Sequence, residues 1–282
     1  MDSTKMRKYI MAVGAHADDI EGNAGGTILK YRKLGYELIY VMSTNNMSGG
    51  WQSVDSEGKL ISRNVPWFEI MPQRKLEAAK GAAYFNAELF HLNHPQRHYR
   101  DRNCVEHYLG YGTPQLNCVR ENEHSILTAH ESPDARKAIT DLIERFKPEV
   151  VMTHNPIQVD MEHIGTSLLV TKTLKECAYA GMILLWPCVD ATPYRDTFNC
   201  RQTFVDISDY YEEKLETIKL HNCQMPIVSH LCFPPWEKGT GCKHVEAYAI
   251  VKEGSGAGAF QDEIMKNNQS RQKLKPTQGS GN

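Results

Sequence analysis

The sequence predicts an α/β fold, a Rossmann-like, mainly parallel central sheet flanked by helices, with a metal site at the carboxyl edge of the strands. Two short, largely apolar runs at residues 9–15 and 149–153 are typical of buried strands. A polar turn that contains His and Asp follows each run, and a helix-forming segment follows each turn. Because open α/β sheets place their chemistry at the carboxyl ends of strands, these two turns mark the expected site.

The remaining elements follow from local signals along the chain. The predicted strands are residues 9–15, 37–43, 88–92, 149–153, 182–188, 201–207 and 244–251. The predicted helices are residues 24–34, 73–85, 133–146, 162–180 and 209–222. Gly35 ends the first helix, Ser132 and Pro133 fit the cap and first position of the third, and Asp209 fits the cap of the last. The first strand, helix and second strand form a β-α-β unit, for which a right-handed crossover between parallel strands is expected.

Two long connections show no clean helix or strand period. Residues 44–72 are rich in Asn, Ser and Gly, and residues 93–131 are rich in His, Arg and Tyr. The histidines of the second connection are His94, His98, His107, His124 and His130. We interpret residues 93–131 as an insertion over the carboxyl edge of the sheet, a candidate lid or substrate wall. The alternative interpretation is a polar surface loop.

Length and composition favour one domain. The 282 residues suffice for one large α/β domain, assigned to residues 1–260, followed by a weakly attached polar tail at residues 261–282. The net charge of −2 and the pI near 6.6 exclude a strong electrostatic footprint for nucleic acid. We expect no membrane span, since no apolar run is long enough. The absence of a secretion signal pattern and eight cysteines without C-x-x-C spacing favour reduced thiols in the cytoplasm.

The turns after the first and fourth strands contain the candidate metal ligands. His16, Asp19 and His163 supply two imidazoles and one carboxylate if both strands are central and parallel, which is a catalytic zinc-type set with an open position for water. Asp18 is then the candidate base that takes a proton from that water. The alternative is that Asp18 and Asp19 only cap the following helix. The phosphate-binding patterns G-x-G-x-x-G and the P-loop are both absent.

The stretch AHADDIEGNAGGT resembles the A-H-P-D-D-x-E…G-G-T signature of the PIG-L/LmbE-like deacetylases. Further matches in chain order extend the resemblance over roughly residues 9–250. The family's R-x-x-E-x-x-x-A helix, H-P-D-H motif, H-x-S-Q element and A-E-x-F-like ending are matched by residues 74–82, 160–163, 221–224 and 245–248. The resemblance implies a Rossmann-like fold and zinc-dependent removal of an acyl group from an amino sugar. It also implies a possible homo-oligomer, since family members often form trimers or hexamers.

Residue by residue, the resemblance implies the metal ligands His16, Asp19 and His163, with Asp18 as general base. It places Arg74 where the family has an arginine that binds substrate or stabilises the developing oxyanion. The alternative for this residue is a helix-surface arginine paired with Glu77.

The sequence departs from the family pattern near its second metal motif. Asp160, a candidate catalytic residue, stands where the family often has a His that polarises the scissile carbonyl or protonates the leaving amine. An ionised Asp cannot donate a hydrogen bond to an oxyanion. His154 or a histidine of residues 93–131 is a candidate substitute, and the sequence does not choose between them. Glu162 replaces the usual Asp and is expected to orient an imidazole.

The expected activity is hydrolysis of the N-acetyl group of an N-acetylated amino sugar or its glycoside, with Zn²⁺ or another divalent metal and no nucleic-acid partner. One alternative is an amidase that acts on another N-acyl conjugate, such as a thiol conjugate or an acylated natural product. Another is a metal- or sugar-binding protein with weak or no catalysis.

Overall fold

The computed structural model describes residues 7–109, 123–186, 201–224 and 241–252. The strands are β1 (Lys8–Gly14), β2 (Tyr36–Thr44), β3 (Trp51–Val54), β4 (Leu60–Arg63), β5 (Glu88–His94), β6 (His98–Arg100), β7 (Glu106–Tyr108), β8 (Val150–His154), β9 (Met182–Trp186), β10 (Arg201–Asp206) and β11 (Val245–Lys252). The helices are α1 (Asp19–Lys33), α2 (Trp67–Tyr84), α3 (Pro133–Phe146), α4 (Met161–Glu176) and α5 (Tyr211–Ile218).

Seven strands form the central sheet in the order β10-β11-β9-β8-β1-β2-β5. The five strands from β9 to β5 are parallel, and β11 pairs antiparallel with both β9 and β10. From β1, the chain adds β2 and then β5 towards one edge of the sheet. It then crosses back, and β8 pairs with the other side of β1. The strand order therefore reverses between β1 and β8, which is where open α/β sheets bind their ligands. The predicted α/β fold with a mainly parallel sheet is confirmed.

Helices cover both faces of this sheet. Along β1, Ile10 and Ala12 pack into one apolar cluster with residues of α1 and α2, whereas Met11 and Val13 pack into a second with residues of α3 and α4. This alternation follows from the two-residue period of a strand. Burial on both faces explains why β1 is almost entirely apolar.

Helices α1 and α2 both begin earlier than predicted. Helix α1 begins at Asp19 rather than near residue 24, although its glycines lower helix propensity. A Cβ on Gly26 would lie 2.7 Å from Ile207, so the glycine allows a close packing that compensates for low propensity. Helix α2 begins at Trp67 and contains Pro72, which the prediction had assigned to the preceding loop.

The predictions for α3 and α5 had opposite outcomes. Helix α3 is confirmed, and the Ser132 side chain accepts a hydrogen bond from Ala135 N at its N-terminus. The predicted cap of α5 is wrong, because Asp209 lies in a 3-10 turn and α5 begins only at Tyr211. The end of the predicted strand at residues 187–188 and the predicted tail at residues 261–282 lie outside the described residues.

The two long connections contain short antiparallel hairpins, β3–β4 and β6–β7, that sequence periodicity did not reveal. Strands of three or four residues are too short to show a two-residue period. In the described part of the chain, no helix has the combined length and hydropathy needed to cross a lipid bilayer.

Candidate metal centre

The turns after β1 and β8 bring His16, Asp19 and His163 together at the switch point of the sheet. His16 Nδ1 lies 3.0 Å from His163 Nε2, and His163 Nε2 lies 3.3 Å from Asp19 Oδ1. His16 Nδ1 lies 3.8 Å from the other carboxylate oxygen, Asp19 Oδ2. A tetrahedral ion with bonds of about 2.0–2.1 Å requires ligand atoms roughly 3.3–3.4 Å apart, which is the spacing between His163 Nε2 and Asp19 Oδ1 and slightly more than that between the two imidazole nitrogens.

Neighbouring acceptors determine which nitrogen of each imidazole carries the proton. His16 Nε2 donates to Glu162 Oε2 at 2.5 Å, and His163 Nδ1 donates to Gln158 Oε1 at 2.9 Å. The Gln158 amide is oriented by its own donation to Asn155 O at 2.7 Å. In the neutral form of each ring, His16 Nδ1 and His163 Nε2 are therefore lone-pair nitrogens that face each other. The expectation that Glu162 orients an imidazole is confirmed.

Asp19 is oriented by a third histidine. Trp186 Nε1 donates to His154 Nδ1 at 2.9 Å, and because indole can only donate, the His154 proton lies on Nε2. His154 Nε2 lies 3.0 Å from Asp19 Oδ2, which also accepts from His16 N at 2.6 Å. The N–H of Ala15, also 3.0 Å from His154 Nε2, cannot then donate to it. These contacts leave Asp19 Oδ1 directed at His163.

With both rings neutral, three acceptor atoms therefore converge, and such a donor set fits a divalent cation. Two overlapping groups of three side chains have metal-binding spacing, His16 with Asp160 and His163, and Asp19 with His154 and His163. His163 belongs to both groups. His154 is a poor ligand because its Nε2 carries the proton, which leaves His16, Asp19, Asp160 and His163 as the candidate ligands in the two groups.

The electrostatic field at this position favours positive charge. Burial alone would lower the pKa of His16, but the hydrogen bond to Glu162 and the charge of Asp19 raise it to about 10. Burial alone would raise the pKa of Asp19, but His163 and His154 hold it well below its usual value. Burial lowers the pKa of His154 to about 4, so this ring is neutral. A cluster that attracts a proton this strongly also attracts a metal ion.

Asp18 and Arg74 form a part-buried pair next to this cluster. Asp18 is the cap residue of α1, but its side chain makes no cap hydrogen bond. Its Oδ2 accepts from Arg74 at 3.2 Å, and Arg74 Nε donates to Asn46 Oδ1 at 3.2 Å. Asn46 Oδ1 also accepts from Ala17 N. The helix-cap alternative for Asp18 and the surface alternative for Arg74, which is 4% exposed, are therefore both wrong.

A family model described as GlcNAc-PI de-N-acetylase, PIG-L, matches residues 11–174, more than half of the chain. The chain belongs to the PIG-L family. The match covers the turns after both β1 and β8, and the resemblance read from the sequence is confirmed. No curated protein matches the chain at a significant level.

Solved structures show the same fold. The N,N'-diacetylchitobiose deacetylase from Pyrococcus horikoshii is 20% identical, covers 86% of this chain and 83% of its own, and has a TM-score of 0.57. A deacetylase of teicoplanin biosynthesis is 14% identical, covers 88% of this chain and 100% of its own, and has a TM-score of 0.59. A 4-carboxy-2-hydroxymuconate hydratase from Pseudomonas putida KT2440 is 16% identical over 86% and 95%, with a TM-score of 0.56. The fold therefore accommodates more than one reaction.

Asp160 lies at the N-terminus of α4 of this PIG-L protein. Its Oδ1 accepts hydrogen bonds from Glu162 N at 2.8 Å and His163 N at 3.2 Å, as a helix cap does. Burial alone would raise the pKa of the Asp160 carboxyl. The charges of His16 and His163 and the two backbone N–H groups outweigh this effect, so the pKa lies below its usual value and the carboxyl is ionised. An ionised Asp160 accepts hydrogen bonds and cannot donate one to an oxyanion. His154, 1% exposed, is turned away from solvent.

Sequence reasoning missed several residues that hold the cluster in place. Asn46 follows β2 and Gln96 follows β5, and both strands end at the same edge of the sheet as β1. Gln96 Nε2 donates to Glu162 Oε2 at 2.7 Å, and Arg97 N donates to Glu162 Oε1 at 2.8 Å. Their position directly after predicted parallel strands was the available signal. Trp186, which orients His154, carried no comparable sequence signal.

Proposed function

We propose that this PIG-L protein is a zinc-dependent N-deacetylase that hydrolyses the N-acetyl group of an N-acetylated amino sugar or of its glycoside. One observation carries the proposal: the lone pairs of His16 and His163 converge with Asp19 Oδ1, and the Asp18 carboxylate lies beside them. His16, Asp19 and His163 would hold the metal. Family membership supports the reaction class, and the donor set supports zinc or another divalent ion.

A bound divalent ion with an open position lowers the pKa of water and polarises a carbonyl. Asp18 takes a proton from the water that attacks the acetyl carbonyl. Asp18 then returns this proton to the amine nitrogen as the C–N bond breaks, giving acetate and a free amine. Arg74 orients the Asp18 carboxylate through the 3.2 Å contact, and Asn46 fixes Arg74 in turn. His154 holds Asp19 in the orientation that leaves Oδ1 free.

The described part of residues 93–131 lies beside this centre and supports a sugar substrate. The β6–β7 hairpin presents Tyr108, 67% exposed, next to Arg100 and Glu106. Aromatic faces pack on apolar sugar faces, while charged groups bind hydroxyls. The similar structures include a deacetylase of an N-acetylated disaccharide, which agrees with this substrate class.

Acetate release tests the proposal. Zinc-loaded protein and an EDTA-treated control are each incubated with N-acetylglucosamine, with N,N'-diacetylchitobiose and with further N-acetylglucosamine glycosides, and acetate is measured by an enzyme-coupled assay. We expect release that depends on metal and returns when zinc is added back to the treated protein. Absence of release from every one of these substrates, with one equivalent of metal bound, would contradict the proposal.

Asp160 favours a second candidate, a protein that binds metal and sugar with weak or no turnover. This candidate predicts thermal stabilisation by N-acetylglucosamine through mass action, without acetate release. The position of Asp18 beside the cluster is the argument against it, because a binding protein has no need of a base there. Hydrolysis of a non-sugar N-acyl conjugate, tested with a panel of amides, is the remaining alternative.

We also propose that residues 1–260 form one domain, and that the protein acts in the cytoplasm as a homo-oligomer, a trimer or hexamer. Family resemblance supports the assembly, and the free thiols of the described cysteines Cys104, Cys177, Cys223 and Cys242 support a reducing compartment. Size-exclusion chromatography with light scattering measures the assembly, and a monomeric mass would contradict it.

A further inference from the structure

The hydrolysis proposed above needs a hydrogen-bond donor for the oxygen that becomes negative when water attacks the carbonyl. Asp160 occupies the expected position but caps α4, where its Oδ1 accepts from Glu162 N and His163 N. Arg74 is held against Asp18 and Asn46 through Nη2 and Nε, and His154 is buried behind Asp19. A donor from another part of the chain is therefore a candidate for this contact.

The β6–β7 hairpin contains a histidine that directly follows residues bound to Glu162. Gln96 and Arg97 both donate to Glu162, the carboxylate that holds His16. His98 is the next residue along the chain. Tyr99 packs into an apolar cluster with Met47, so the alternation of a strand directs His98 to the opposite face. On that face its ring lies 5.5 Å from the ring of Tyr108.

His98 has a donor that no described residue uses. Its Nδ1 is buried and has no hydrogen-bond partner among the described residues. Its Nε2 lies 3.7 Å from Glu106 Oε1, which is too long for a hydrogen bond. Glu106 is already bound to Arg100 and Tyr108, each at 2.7 Å. Because an unpaired buried acceptor is tolerated better than an unpaired buried N–H, the proton belongs on Nε2.

The charge state of His98 suits this role. Burial lowers its pKa, and the Glu162 carboxylate opposes this effect more strongly than Glu106 does, which agrees with a position close to Glu162. The ring is therefore neutral near pH 7. A neutral imidazole carries one N–H and can donate it to a carbonyl oxygen that develops negative charge.

We propose that His98 is the catalytic residue that donates a hydrogen bond to the acetyl carbonyl oxygen, supplying the contact that Asp160 cannot make. The inference rests on the proposed N-deacetylase function. Other described histidines are placed less well. His107, on the same hairpin, faces away and has its Nε2 2.9 Å from Asp101, and His221 is fully buried.

The test compares His98→Ala, His98→Gln and His107→Ala in the zinc-loaded protein with N-acetylglucosamine as substrate. His107→Ala is the matched control, because it removes a ring from the other face of the same hairpin. We expect His98→Ala to lower kcat by about 10²–10³-fold with KM within a few-fold, as loss of an oxyanion donor does. His98→Gln, which keeps an N–H donor, should recover part of this loss. Metal content and Tm should stay at wild-type values.

A binding measurement gives an independent readout. The methylphosphonamidate analogue of N-acetylglucosamine carries a tetrahedral anionic group in place of the acetyl carbonyl, and transition-state analogues report the same contacts as catalysis. His98→Ala should weaken its binding, measured by calorimetry, much more than binding of N-acetylglucosamine itself. Equal losses of kcat in His98→Ala and His107→Ala would overturn the inference and leave the deacetylase standing. No acetate from the wild-type protein would overturn both.

Discussion

Among the charged groups that contact α1 in the described part of the chain, one at the middle of the helix and one at its start differ in one respect. Halfway along the helix, Glu246 accepts from Gly26 N, Thr27 N, Lys214 Nζ and Tyr248 Oη at 2.6–3.1 Å. At the start of the helix, His16 Nδ1, His163 Nε2 and Asp19 Oδ1 face one another, and with both rings neutral no donor lies between them.

The first group is saturated and the second is not. A buried carboxylate with a full set of donors joins β11 and α5 to α1 and has no capacity left for a ligand. A buried cluster of acceptors is costly unless a cation completes it. The difference separates charges that stabilise the fold from charges available to a ligand, and the following experiments test it.

The largest effect is expected on catalysis from Asp18→Asn. The amide keeps the shape of the side chain but cannot accept the proton of the attacking water, so kcat should fall by about 10²–10⁴-fold. Bound zinc, measured by atomic absorption, should remain at one equivalent. Asp141→Asn, at an exposed site, is the control and should retain wild-type kcat. Wild-type turnover in Asp18→Asn would rule out this base.

The next largest effect is expected on stability from Lys214→Met. This change leaves Glu246 charged and buried without its cation, and breaking such a pair costs about 3–5 kcal/mol of unfolding free energy. Urea unfolding measures it. Lys137→Met breaks a pair of the same 2.6 Å length with Asp141 on the surface and should change stability little. Similar losses of unfolding free energy in the two variants would show that burial of the Glu246 pair does not determine its contribution to stability.

Metal removal should affect only the unsaturated group. At free zinc about 100-fold above its Kd, binding adds about 2.7 kcal/mol to the stability of the folded state, so EDTA should lower the wild-type Tm. Asp19→Asn should reduce this difference, whereas Lys214→Met should keep it on a lower baseline. An EDTA effect of wild-type size in Asp19→Asn would argue against Asp19 as a ligand.

The smallest effect is expected at the helix caps. Ser132→Ala should cost about 0.5–2 kcal/mol of unfolding free energy without changing acetate release. Asp160→Ala removes the corresponding cap of α4 and should cost a similar amount, but it should also lower kcat, because the same helix start holds Glu162 and His163. Thermal unfolding and acetate release on both variants compare the two. Unchanged kcat in Asp160→Ala would limit this residue to a cap.

The strand-turn-helix signals at residues 9–35 and 149–180 were sufficient to predict the sheet and the position of the site. The start of α2 was missed because Pro72 lowers local helix propensity, whereas burial of Ile70 stabilises the first turns through packing that has no local signal. The hairpin that bears His98 was missed because strands of three residues show no period.

Local patterns were sufficient for the fold class, the resemblance to PIG-L deacetylases and the residue types near the sheet edge, because those properties depend on residues adjacent in sequence. The sequence could not show which nitrogen of His16 is free or that Arg74 is buried against Asp18. Both depend on partners distant in the chain, since Glu162 reaches His16 when β8 pairs with β1, and Arg74 reaches Asp18 from helix α2.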